Sequence, residues 1–154
     1  MRFAKFLVVL LLVGIGALMA MHVGRHPDSP EDARAMAERA ASFVESHGRD
    51  EALAAFADPE GDFVDERLFV FAVGLDGTML AHPFRPKMVG RLILGERDFN
   101  GVAYGREMVS VARTDGRGWV DYVGRDPIAK RLRRKTTYVL KVDDMLVACG
   151  AFSD

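Results

Sequence analysis

Asp76-Gly77-Thr78 follows directly on the apolar run 68–75, as the second half of the phosphoryl-transfer pattern Asp-x-Asp-Gly-Thr would. In that pattern the first Asp is the nucleophile and the second the acid/base, so the chemistry needs both. Gly74 stands where the nucleophile should be, which leaves Asp76-Gly77 as a turn. Cys149, the only cysteine, lies in the apolar run 146–152 with no neighbour there to lower its pKa, and reads as a buried structural thiol. His22, His26, His47 and His82 have no paired metal-ligand spacing, and the acidic residues are scattered. No Ser-His-Asp or Cys-His signature and no Gly-rich phosphate loop occurs. The sequence thus names no catalytic residue, no metal site and no cofactor. One cluster remains, Lys130-Arg131-Leu132-Arg133-Arg134-Lys135, with five positive charges in six residues. It is either a solvated loop or a contact for an acidic partner or an anionic lipid.

The elements around these residues follow from periodicity. Phe69, Phe71, Val73 and Leu75 alternate with Leu68, Val70 and Ala72, so both faces are apolar, as a central strand covered on both sides requires. Asp76-Gly77 favours a type I′ hairpin that folds the chain back through 78–81, and His82-Pro83 ends the second strand. Upstream, Ser29-Pro30-Glu31-Asp32 caps a long helix whose stripe is Ala33, Met36, Ala37, Ala40, Phe43 and Val44. Gly48 stops it, and 51–57 is a second, shorter helix. Downstream, 84–100 crosses the sheet as a long connection and 104–113 is helical. Strands are expected over 119–123, 135–142 and 146–152, with Asp143-Asp144 turning between the last two. Helices, two strands, a helix and three strands give an α+β fold with a five-stranded antiparallel sheet.

Residues 1–23 carry Arg2 and Lys5 ahead of an apolar stretch that runs from Phe6 to Val23. This is either a cleaved signal peptide or a retained N-terminal membrane anchor, and both place the globular part outside the inner membrane. Residues 24–29 form a linker and 30–154 one domain, about 130 residues being enough for one core and too few for two. Leaving out Arg2 and Lys5 takes the 21 basic residues to 19 against 22 acidic ones, a balance of −3 that argues against a nucleic-acid partner.

The blocks 52–65, 75–83, 118–122, 135–139 and 148–152, read as Ala-Leu-Ala-Ala-Phe-Ala-Asp-Pro-Glu-Gly-Asp-Phe-Val-Asp, Leu-Asp-Gly-Thr-Met-Leu-Ala-His-Pro, Gly-Trp-Val-Asp-Tyr, Lys-Thr-Thr-Tyr-Val and Ala-Cys-Gly-Ala-Phe, together resemble the single Cache domains of bacteria. The resemblance implies a long N-terminal helix along a five-stranded, PAS-like antiparallel sheet, whose other face holds a small ligand, often a short carboxylate. It also implies an extracytoplasmic sensor domain with no catalytic activity. A small anion in a closed pocket needs charge-assisted donors, neutral donors and apolar walls. On the resembling blocks Lys135 would pair with a carboxylate, Tyr122 and Tyr138 would donate hydroxyls, His82 would donate or report protonation, and Trp119 would wall the pocket. Strand parity separates Lys135 from Tyr138, and Trp119 from Tyr122, unless a bulge or strand start reorients one of each pair. The family's Trp, two residues beyond the strand's Tyr, is replaced by Gly124 here. With Asp154 as the last residue, the domain is expected to act without its own output domain, alongside a separate membrane receptor or envelope protein. The alternative is an envelope protein interaction module with a vestigial pocket, docking through the sheet face or the basic hairpin 125–135.

Overall fold

A computed structural model describes residues 28–153. The expected signal peptide or anchor, 1–23, and linker residues 24–27 lie outside the described residues. Helix α1 (Pro30–His47) starts with a full capping box: the Ser29 side chain accepts from the Asp32 N–H, and the Asp32 carboxylate accepts from Ser29. Ala33, Met36, Ala37, Ala40, Ala41 and Val44 are its buried stripe. Gly48, at φ +84°, turns the chain into α2 (Arg49–Ala57). The strands are β1 (Val64–Asp65), β2 (Leu68–Gly74), β3 (Met79–Ala81), β4 (Arg117–Arg125), β5 (Leu132–Val142) and β6 (Met145–Ser153), with α3 (Tyr104–Thr114) before β4. Among the described residues no helix is long and apolar enough to cross a membrane.

All pairings are antiparallel, in the order β1-β2-β6-β5-β4, and β3 shares β2's outer edge with β1. The fold is the expected α+β arrangement with the two-residue β1 added. The middle of the sheet, however, is β6 rather than β2, and both strands are buried along nearly their whole length. Burial on both faces is a property of any interior strand, so the two patterns look alike in sequence. The Asp76-Gly77 hairpin also differs from expectation. Gly77 alone has positive φ (+90°), and the bonds Gly77 N–H to Gly74 O (2.8 Å) and Gly74 N–H to Thr78 O (2.8 Å) close a three-residue loop instead of a type I′ turn. Asp76 Oδ1 accepts from the Thr78 N–H at 2.9 Å, which favours this loop.

The sheet separates two cores. Leu68, Val70, Tyr138, Val147 and Cys149 face α1 and α2, with Cys149 Sγ 3.7 Å from Met36 Sδ. Burial pushes the Cys149 thiol up to about 12, in keeping with a structural role. Phe69, Phe71, Val139, Leu146 and Phe152 face α3 and the connection 82–103. Alanines let α1 lie close against β5 and β6, and Ala37 and Ala40 have no exposed surface. Ala37→Leu is therefore expected to lift the helix and destabilise the domain by about 1–3 kcal/mol in chemical denaturation, whereas Ala35→Leu on the exposed face changes little.

Candidate functional site

The alternation of β5 sends Arg133, Lys135, Thr137 and Val139 to the α3 face, and the nine pairs with β4 run without a register shift. Lys135 is 4% exposed. Its stem lies in a trough between two glycines: a methyl on Gly150 would sit 2.6 Å from Lys135 Cε and 2.2 Å from Thr137 Oγ1, and one on Gly124 would sit 3.2 Å from Lys135 Cδ. Glycine inside a strand marks this kind of close approach. Gly124 holds the place of the tryptophan that the family resemblance would put there, and the lysine stem uses that space.

The Lys135 ammonium ends 4.0 Å from the centre of the Phe69 ring, 4.9 Å from that of Phe152 and 5.4 Å from that of Phe71. Among the described residues it has no hydrogen-bonding or ion-pairing partner. Burial lowers its pKa from 10.5 to about 8, against the smaller opposing pull of Cys149 and Asp126. Ring faces stabilise a cation but use none of its three N–H donors directionally. A desolvated ammonium with free donors at a cavity wall has the chemistry to pair with an anion.

The cavity that it faces has a volume of about 620 Å³ and lies between β2, β5, the β4–β5 hairpin and the connection after β3. His82 lines it, and its Nδ1 accepts from the N–H of Phe84 and of Arg85, both at 3.2 Å. Nδ1 thus carries no proton, and Nε2–H is left as a donor. Burial, with Lys135 and Arg85 adding repulsion, lowers the His82 pKa to about 3, so the ring is neutral at ordinary pH. Tyr122 and Tyr104 stack at 4.9 Å along another wall. Burial raises both phenols, and the Tyr104 hydroxyl, held at about 12, donates to Glu96 Oε2 at 2.9 Å. Arg85, Arg97, Arg125 and Lys130 stand around the mouth. Of the acids there, Asp98 is engaged by backbone N–H groups of Asn100 (2.8 Å), Val102 (2.8 Å) and Val123 (2.7 Å). Although its partial burial opposes ionisation, these bonds hold its pKa below the usual range and tie the loop over the cavity to β4.

The structure brings together Lys135, His82 and Tyr122 but not the other two expected residues. Tyr138 and Trp119 lie on the α1 face, packed edge to face at 4.9 Å, with Arg34 over the Tyr138 ring. Strand parity is the reason: no bulge reorients β4 or β5, so neither ring reaches the cavity. The basic run 130–135 is a solvated segment only in part: Lys130, Arg131 and Arg134 are exposed, and Arg133 and Lys135 are buried. Because β5 already begins at Leu132, Arg133 turns inward onto the fully buried Asp126, Nη1 to Oδ2 at 2.8 Å, and Lys135 enters the cavity. Asp126 Oδ1 also accepts from the Ile128 and Ala129 N–H groups and so shapes the turn. Sequence reasoning missed Arg85, Tyr104 and the glycine trough. The readable signal was Gly150, alone inside an apolar strand.

Two outcomes follow from this geometry. Gly150→Ala is expected to displace the Lys135 stem and cost about 1–3 kcal/mol in denaturation, as overpacking of a filled site does. The folded pKa of His82 lies below its unfolded value of 6.5, so the unfolded chain binds the extra proton between about pH 6.5 and 3. Stability from this group is complete above that window and is lost as pH falls through it. His82→Asn, which keeps an acceptor for the two N–H groups, is expected to remove this component from the acid limb of a stability profile, leaving that of the aspartates.

A family model described as Cache domain matches residues 43–152. A search of curated protein sequences gives no match. Among solved structures, a methyl-accepting chemotaxis protein from Vibrio parahaemolyticus RIMD 2210633 superposes with a TM-score of 0.69 at 16% identity, over 80% of this chain and 88% of the other. The periplasmic sensor domain of a chemotaxis protein gives 0.62 at 24% identity, over 80% and 90%. A Cache chemosensory domain, described for its carboxylic acid recognition, gives 0.63 at 23% identity, over 80% and 88%. These likenesses confirm the fold, and the family match over 43–152 gives the assignment: the chain belongs to the Cache domain family.

Proposed function

We propose that this domain is an extracytoplasmic sensor that binds a small organic acid by its carboxylate and performs no chemistry on it. The observation that carries this reading is the Lys135 ammonium, buried at the cavity wall against Phe69, Phe71 and Phe152 with its donors unspent. A carboxylate there would gain charge-assisted hydrogen bonds in a dry site, and the His82 Nε2–H and the Tyr122 hydroxyl add neutral donors. Support also comes from the neighbours: one solved relative is described as recognising carboxylic acids and another as a periplasmic sensor domain. The ligand would then act by changing the domain's conformational balance, read by a separate membrane receptor or envelope protein.

The second reading, an envelope interaction module with a vestigial pocket, loses the sheet face, because α1 and α2 cover one side and α3 the other. It keeps the exposed part of the hairpin 125–135. Thermal-shift measurements with acetate, propionate, pyruvate and lactate separate the two. A ligand at about 100 times its Kd adds about 2.7 kcal/mol of stability. Lys135→Met is expected to abolish the shift while leaving the ligand-free protein as stable or more so, since a buried unpaired charge is gone. Affinity is expected to fall as pH rises above about 8, where the free lysine loses its proton. Full affinity in Lys135→Met, or no shift with any acid, would overturn the sensor reading and leave the interaction module.

A further inference from the structure

The outer part of the β4–β5 hairpin carries exposed residues that neither core uses, some of them at the rim of the cavity. Ile128 is 59% exposed and Leu132 54%, and in the neighbouring loop over the cavity mouth Phe99 is 85% exposed. Each is flanked by cations: Arg97 precedes Phe99, while Arg125, Lys130 and Arg134 surround the two aliphatic residues. Of the acids in the same segments, Asp126 is paired with the buried Arg133, and the other two, Glu96 and Asp98, are outnumbered by the four exposed cations Arg97, Arg125, Lys130 and Arg134. Apolar tips within a ring of exposed cations match the boundary of an anionic bilayer, where side chains enter the headgroup layer and cations meet lipid phosphates.

Position gives an independent argument. Arg67 lies between Asp28 and Asp126, Nη1 to Asp28 Oδ2 at 3.6 Å and Nε to Asp126 Oδ2 at 3.7 Å. The first described residue therefore sits one side chain away from the hairpin. Upstream of it the sequence has only residues 24–27 before the apolar run that ends at Val23. Four extended residues reach at most about 14 Å. A bilayer that held the run would lie within that distance of Asp28, on the side of the hairpin. The other end of α1 is about 27 Å away, from its 18 residues.

We propose that the hairpin tip and the Phe99 loop form a docking surface for an anionic lipid bilayer, with Ile128, Leu132 and Phe99 in the headgroup layer and Arg97, Arg125, Lys130 and Arg134 over phosphates. The surface shares Phe99, Leu132, Arg97, Arg125 and Lys130 with the cavity rim, so the vesicle measurements are made without any organic acid. Cys149 is fully buried, so Ile128→Cys in the full chain offers one accessible thiol for an environment-sensitive dye. Ser46→Cys, exposed at the far end of α1, is the control. In vesicles containing phosphatidylglycerol, the dye at 128 is expected to brighten and shift to the blue while that at 46 does not. The response should weaken in high salt and in an Arg125→Gln, Lys130→Gln, Arg134→Gln variant. No response at 128, an equal response at 46, or an equal response in pure phosphatidylcholine would overturn the proposal. So would a response to polyglutamate without one to phosphatidylglycerol vesicles, which would make the surface a site for acidic protein.

Discussion

A primary ammonium held out of water against three phenylalanine rings is the constraint around which this domain is built. Placing it there requires an interior strand, β5, in an unbroken register with both neighbours. It calls for glycine at 150, where a side chain would occupy the path of the lysine stem, and glycine at 124 leaves that stem room on the other neighbour. It also requires that the next inward residue, Arg133, find a carboxylate, and Asp126 supplies one from the turn of the same hairpin. Breaking a buried pair of this kind is costly because the remaining charge stays desolvated, so the turn and the cavity wall depend on one another.

The opposite face of the same strands obeys a simpler rule. Alanines on α1 meet Tyr138, Val147 and Cys149, and close approach is achieved by small volume rather than by polar contacts. The two faces are coupled through parity alone. Every residue of β5 belongs to one side or the other, and a slip by one position would exchange Lys135 with Thr136 and put Tyr138 into the cavity wall.

Much of the fold was legible because its determinants are local. The capping box at Ser29 and Asp32, the break at Gly48 and the turn at Asp143-Asp144 each act within a few residues. The choice of β6 as the middle strand was not legible, since pairing joins residues as distant as Val70 and Cys149 and both strands look equally apolar. At the site, parity set Lys135 apart from Tyr138 but did not say which of the two faces the cavity. The basic run misled because five charges look like solvent exposure until the strand start is known; beginning at Leu132 turns two of them inward. Arg85 and Tyr104 come from the connection and α3, whose approach to the cavity depends on tertiary packing that no short window encodes.

The unpaired lysine also affects the domain when nothing is bound. A pKa lowered from 10.5 to about 8 corresponds to roughly 3 kcal/mol carried by the folded, unoccupied molecule at neutral pH. An anion that relieves this strengthens folding as well as filling a cavity. In a cell, where proteases clear the unfolded fraction, a change of one or two kcal/mol alters abundance several-fold. The occupant of such a cavity would thus govern how many copies of the protein persist, in addition to what each copy reports.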